Sequence, residues 1–400
     1  MRSSILTNIK RIRLNSKVVE HYIFAFSVFL LIPPYFVWNS ISILYFLTIC
    51  VLITIKQLNS NPRLILFFVF FGLLYIYTLF NIKMTFFGYV SILLIPSIFL
   101  LSVDYLYSVF KAFIHIYSFL LVPSIVVFIL VFVFRIDLPH SVIEPHNSNK
   151  IYSYIQYPFL VHERSMQLFL PRFYGFTDEP GVIGTTSTII LLTNRFNLKD
   201  RVNIPIFIAG ILSFSIVFYG VLFGYVLFLV KPKVKIILLI LAISISTYLS
   251  ENEVFNTLVL NRFALYGGTI SGDNRTIDGY DQWYNRFSKT DDYYFGIGKE
   301  KAREFNYGGS SYKDLIASYG FIFFLLFISL LIIRAFWFLR LTKEFFVYLL
   351  ILFAIIYQRP YITSYFYVFL ILSPVAGLAY KDYDHSGSYL RNKSKNQKMI

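Results

Sequence analysis

The sequence predicts an all-α, polytopic membrane protein with about twelve membrane segments in one integral domain, 1–400, and two long outer loops. Three observations predict it. Only 14% of residues are charged while 57% are hydrophobic, too few charges to cover a soluble chain of this length. Apolar runs long enough to cross a bilayer recur from end to end. The basic residues gather in the termini and short connections, the distribution that sets membrane topology.

The apolar runs place spans at 21–38, 40–56, 64–80, 84–102, 108–134, 181–194, 203–215, 217–230, 236–250, 313–333, 345–357 and 362–380. Arg2, Lys10, Arg11, Arg13 and Lys17 begin on the inner side. That stretch runs into a span with no small-residue cleavage site after it, so the span is expected to stay in the protein. Lys56 and Arg63 return inside, as do Arg195, Lys199 and Arg201, and then Lys231, Lys233 and Lys235. Arg334, Arg340 and Lys343 follow, and the basic tail, 381–400, ends inside. Segment 203–230 spans about 42 Å as one helix, long for one crossing and short for two. Two short helices meeting near Ser213–Phe214–Ser215 keep every basic cluster inside, so a hairpin is expected.

The net charge of +15 does not imply nucleic acid. The outer loops 136–180 and 250–312 carry 3 basic against 5 acidic and 7 basic against 9 acidic residues; the rest holds 26 basic against 7 acidic. The lone Cys50 lies in an apolar run and reads as a buried small residue. Zinc spacing, a P-loop and a dinucleotide-binding fingerprint are missing from the sequence.

Three stretches carry candidate chemistry. The first, "PRFYGFTDEPGVIG" at 171–184, sets Arg172, Asp178 and Glu179 beside a span. Pro180 suits the first turn of a helix, and Thr177 or Asp178 is expected to cap it. Arg172 and Glu179 need a partner or a ligand if they face the protein.

The second runs from Asn261 to Gly320, with Arg262, Arg275 and Arg286 spaced 13 and 11 apart. Arginine suits phosphate, since its planar fork donates parallel hydrogen bonds and keeps its charge. Gly296, Gly298, Gly308 and Gly309 mark tight turns. Tyr280, Trp283, Tyr284, Tyr293 and Tyr294 offer flat faces for sugars. The third, "YQRPY", puts Arg359 at the outer end of the last hairpin, where interfacial snorkelling accounts for it.

Together "RFYGFTDEPGVIG", the "LSFS" hairpin, "NR" followed by "W", "FGIG" and "SYKDLIASYGFIFFLLF" resemble the O-antigen polymerase (Wzy-type) group of the O-antigen ligase/polymerase superfamily. The resemblance implies a GT-C-type glycosyltransferase architecture and a metal-independent enzyme at the periplasmic face of a bacterial inner membrane, and the basic clusters put both termini on the cytoplasmic side. It implies no cofactor. Its partners would be an undecaprenyl-pyrophosphate-linked oligosaccharide donor and acceptor, membrane lipids and a polysaccharide chain-length regulator. Arg172 and Arg275 would bind the pyrophosphate, and Glu179 would contact the acceptor or act as base. Arg262, Arg286, Trp283, Tyr312 and Arg359 would complete the substrate site. Ligase relatives carry a histidine in the large loop, but 250–312 contains none, which favours polymerase over ligase. A lipid-linked-oligosaccharide flippase would scatter charge through its spans, and these spans are nearly free of acids.

Overall fold

A computed structural model describes residues 16–385 except 33, 39–42, 59, 82–85, 145–152, 165–170, 230–231, 234, 237–264, 267–268, 271–277, 305–311 and 360–361. The described chain is helical, with two small sheets. Among the described residues three helices are long and apolar enough to cross a membrane: Pro62–Phe80, Val103–Val133 and Phe321–Leu339. Six shorter apolar helices of 10–17 residues accompany them. These long apolar helices indicate association with a membrane.

This corrects the expected twelve-segment bundle and the GT-C-type architecture that went with it. Apolar runs were equated with spans, and several runs are broken. The run at 21–38 yields α1, Ser16–Leu30, and then a separate 3-10 turn at Tyr35–Val37. After α2 (Ile43–Lys56) and α3 (Pro62–Phe80), the run at 84–102 splits. It forms α4, Phe86–Leu94, and a 3-10 helix, Ile95–Leu100, with Pro96 in its first turn. α5, Val103–Phe128, continues as a π turn to Val133. The run at 313–333 breaks at Gly320, whose φ of +92° only glycine adopts readily. The predicted span 236–250 lies outside the described residues.

The loop after α5 is structured. β1 (Ser141–Ile143), β2 (Tyr154–Tyr157) and β3 (Leu160–Glu163) form an antiparallel sheet in that order, with Ile155 opposite both Val142 and His162. Its apolar side joins Trp38 and Tyr174 in a buried cluster. The loop then enters α6, Pro180–Thr193, in which every residue is buried. At about 21 Å, α6 is shorter than a hydrocarbon core and serves as an internal helix. Thr185, Thr188 and Thr193 each donate their hydroxyl to the carbonyl four residues earlier, which satisfies polar atoms in an apolar setting.

α7 (Asn203–Leu212) and α8 (Ile216–Leu229) meet at Ser213–Phe214–Ser215, the expected break, where Phe214 turns the chain at φ +48°. Beyond the two-stranded pair β4 (Leu265–Tyr266) and β5 (Thr269–Ile270) come three short helices: α9 (Asp278–Phe287), α10 (Asp292–Phe295) and α11 (Lys299–Glu304). α12 (Tyr312–Tyr319), α13 (Phe321–Leu339), α14 (Lys343–Gln358) and α15 (Tyr365–His385) close the described chain. α15 is buried along 365–378 and packs on α5, α6, α13 and α14. Cys50 is fully buried, as read from its apolar surroundings.

Arg334 was counted as a marker of the inner side. It lies 1% exposed inside the bundle, where Nη1 donates to Phe99 O at 2.9 Å and Nη2 to Leu101 O at 3.4 Å. These carbonyls end the 3-10 helix and have no further helical turn to accept from. The guanidinium also lies against the rings of Phe67 and Phe99, at 5.7 and 5.4 Å. It closes the C-terminal end of the 3-10 helix, just before α5 begins at Val103.

Candidate functional site

Two of the three candidate stretches, together with the turn at Ser213–Phe214–Ser215, meet at the N-terminal end of α6. Glu179 is its N-cap residue, with extended backbone (φ −145°, ψ 128°), and Pro180 fills the first turn. The Glu179 side chain makes no capping hydrogen bond. It turns instead to Arg359, whose Nη1 donates to Oε2 at 2.9 Å. The expected cap by Thr177 or Asp178 is corrected accordingly. Thr177 Oγ1 donates to the carbonyls of Tyr174 and Glu179, and the Asp178 carbonyl accepts from Tyr154 Oη at 2.8 Å.

Arg359 is the largest departure from the sequence reading. Snorkelling would leave its head in water, yet the residue is only 5% exposed. Its Nε donates to Thr185 Oγ1 at 3.3 Å, one turn into α6. Its Nη2 is buried with no hydrogen-bond partner among the described residues. That nitrogen lies so close to Gly181 that a Cβ there would collide with it. Gly181 is therefore glycine because a guanidinium occupies the place of its side chain. Glu179, by contrast, has a 45% exposed side chain and forms the open side of the pair.

Arg172 belongs to the same neighbourhood. It is half-buried, and its Nε donates to Ser213 O at 3.1 Å, in the turn between α7 and α8. The backbone beside it is tied to the same turn, with Phe173 N donating to Leu212 O at 2.9 Å. Gly184, three residues after Gly181 and on the same side of α6, packs flush against Ser213 and Ser215. Ser215 Oγ is also buried without a partner among the described residues. Gly175 makes the approach possible, with φ +57° and its carbonyl accepting from Val161 N at 2.8 Å. The arrangement offers two arginines and one half-exposed carboxylate around a helix start, together suited to an anion and to proton transfer.

The other candidates divide. Arg262 and Arg275 lie outside the described residues. Arg286 is exposed in the last turn of α9. Trp283, on the same helix, is half-buried and stacked on Phe287, with centroids 5.0 Å apart. Tyr312 opens α12, half-buried and near Phe324 at 6.5 Å. Two tyrosines expected to offer sugar-stacking faces are used internally instead. Tyr280 is 1% exposed and donates to Asp314 Oδ1 at 3.2 Å; Tyr284 is buried in the same cluster. Burial, with the neighbouring Tyr293 adding to it, pushes the Tyr284 hydroxyl far up, so it stays protonated.

The "FGIG" stretch is a clamp. Gly296 and Gly298 have φ of +80° and +86°. Ile297 N and Gly298 N donate to Ala317 O and Ser318 O of α12, while Lys299 N donates to Asn81 O at the end of α3. Tyr77 Oη, also on α3, donates to Phe295 O at 2.6 Å. Gly320 lies against the backbone of Tyr294 and Phe295, where a Cβ would clash. The stretch thereby fixes the short helices α9 to α12 to the long helices α3 and α13.

Thr185, Ser213 and the close approach at Gly181 were missed as parts of the site. A usable signal was present: small residues at 181 and 184, and Gln358–Arg359 interrupting an otherwise apolar hairpin.

Comparison of the chain with protein-family models, with curated proteins and with solved structures gives no match. The Wzy-type resemblance and the GT-C-type architecture it implied thus gain no support, and the three long apolar helices among the described residues conflict with the span count.

Proposed function

We propose that the chain joins undecaprenyl-pyrophosphate-linked oligosaccharide repeat units into polysaccharide. In this reading it works at the periplasmic face of a bacterial inner membrane, with both termini cytoplasmic. The carrying observation is the buried Arg359 paired with the half-exposed Glu179 at the start of α6, with Arg172 on the adjoining turn.

The reaction breaks the bond between the donor's anomeric carbon and its pyrophosphate oxygen. The bond pair leaves with the lipid pyrophosphate, and an acceptor hydroxyl oxygen forms the new glycosidic bond. Arg172 and Arg359 stabilise the charge that grows on the leaving group. Glu179 accepts the hydroxyl proton. Arg275 is a further proposed contact to the pyrophosphate, Arg262, Arg286, Trp283 and Tyr312 are the proposed contacts to the glycan, and a chain-length regulator is a proposed partner.

Deleting the gene in its bacterium and running the surface glycan on a gel tests the reading. Loss of a polymerase leaves lipid-linked core bearing one repeat unit. Loss of a ligase or flippase leaves core with none, and would overturn it. A full ladder from an Arg172→Ala strain would remove Arg172 from the site.

A further inference from the structure

Thr185 stands in the second turn of α6, fully buried, and is one of two side chains that hold Arg359. A guanidinium is a planar fork, so two contacts fix its plane and its direction. Nη1 donates to Glu179 Oε2 at 2.9 Å, and Nε donates to Thr185 Oγ1 at 3.3 Å. Nη2 is the nitrogen left over, set against Gly181 and without a partner among the described residues.

The Thr185 hydroxyl has its proton committed. It donates to Gly181 O at 2.8 Å, which leaves a lone pair for Nε. Thr188, further along α6, makes the same back-bond, to Gly184 O at 2.7 Å, and no other hydrogen bond among the described residues. Back-bonding alone therefore satisfies a buried threonine on this helix. Thr185 makes that bond and holds an arginine besides.

The two holds on Arg359 respond differently to the reaction proposed above, on which this inference rests. Glu179 becomes neutral when it takes the acceptor proton, and a neutral carboxyl binds a guanidinium more weakly than a carboxylate does. Charge grows on the leaving pyrophosphate in the same step. Arg359 must stay aimed while its charged partner lets go. Thr185 carries no charge and does not titrate, so its contact survives the proton transfer.

We propose that Thr185 is a positioning residue, whose Oγ1 keeps the Arg359 fork oriented toward the leaving pyrophosphate once Glu179 is protonated. It acts through Arg359 and touches no substrate itself. A donor already in place needs no reorganisation at the moment of reaction.

The test is steady-state polymerisation by the full chain in detergent, with the lipid-linked repeat units that the gene-deletion strain accumulates as substrate. Thr185→Val, which keeps the shape and loses the acceptor, should lower kcat about tenfold, the worth of one hydrogen bond to a charged group, and leave KM within about twofold. Thr185→Ala, which loses the acceptor without the β-branch, should do the same. Thr185→Ser should restore the parental kcat, and Thr188→Val should keep it. The unfolding midpoint of each variant checks that the chain compared is folded. A parental kcat in both acceptor-free variants would overturn the proposal and leave the polymerase reading standing. An equal loss in Thr188→Val would overturn it in favour of helix packing, and so would a Thr185→Ser variant as slow as Thr185→Val. A deletion strain that accumulates no single repeat unit would overturn the polymerase reading, and this proposal with it.

Discussion

Arg359 Nη1 lies 2.9 Å from Glu179 Oε2, an ion pair between residues 180 positions apart that locks the start of α6 to the end of α14. The two partners are unequal, since the arginine is buried and the glutamate is half-exposed. Removing Glu179 strands a buried guanidinium, whereas removing Arg359 releases a carboxylate into water. Glu179→Gln keeps an acceptor for Nη1 and should cost about 1 kcal/mol of stability, the exposed carboxylate being screened. Arg359→Ala also loses packing against Gly181 and Thr185 and should cost about 2–4 kcal/mol. Thermal or denaturant unfolding in detergent measures both. An Arg359→Ala midpoint equal to that of the parent would show that the arginine is not held as described.

Gly181→Ala should be destabilising by about 1–3 kcal/mol, because the added methyl meets the Arg359 guanidinium. Gly184→Ala should act similarly through Ser213 and Ser215. Gly72→Ala is the control: no atom lies near the position its Cβ would take, and a mid-helix alanine should be neutral or mildly stabilising. Comparing the three midpoints checks the close approach directly.

Arg334→Leu should cost about 2–4 kcal/mol, since it leaves the carbonyls of Phe99 and Leu101 without their donor in an apolar interior. Arg334→Lys should recover part of this loss, a single ammonium reaching one carbonyl better than two. A fully stable Leu variant would mean that the carbonyls find other partners.

The clamp at "FGIG" gives a local prediction. Gly320→Ala combines a strained φ with a clash against Phe295 and should loosen α10 to α12 from α13. Limited proteolysis should then cut within 288–304 faster than in the parent, with cleavage elsewhere unchanged.

How much of this was legible in the sequence varies by feature. The break at 213–215 was readable because 28 residues suit neither one span nor two, and Ser213 to Ser215 marked the place. The glycines of "FGIG" announced turns, and their positive φ values follow. The span count was not readable, because hydropathy sums side chains and does not register where the backbone breaks. Pro96 and Gly320 each divide one apolar run into two helices. α6 has a span's composition but spends it all on internal burial. The sheet at 141–163 was missed because its strands are only three and four residues long. Arg172 and Glu179 were identified as residues needing partners, but the Glu179 partner came from Arg359, which composition alone placed in the interface. Proximity across 180 residues is set by packing, not by any local pattern.

In the proposed function Arg359 and Glu179 form the anion-handling end of a polymerising site. The most direct measurement is the surface-glycan ladder of a gene-deletion strain complemented with Arg359→Gln, at membrane levels matched to the parent protein. A single-repeat band in place of the ladder is the expected result. A full ladder from that strain would contradict it.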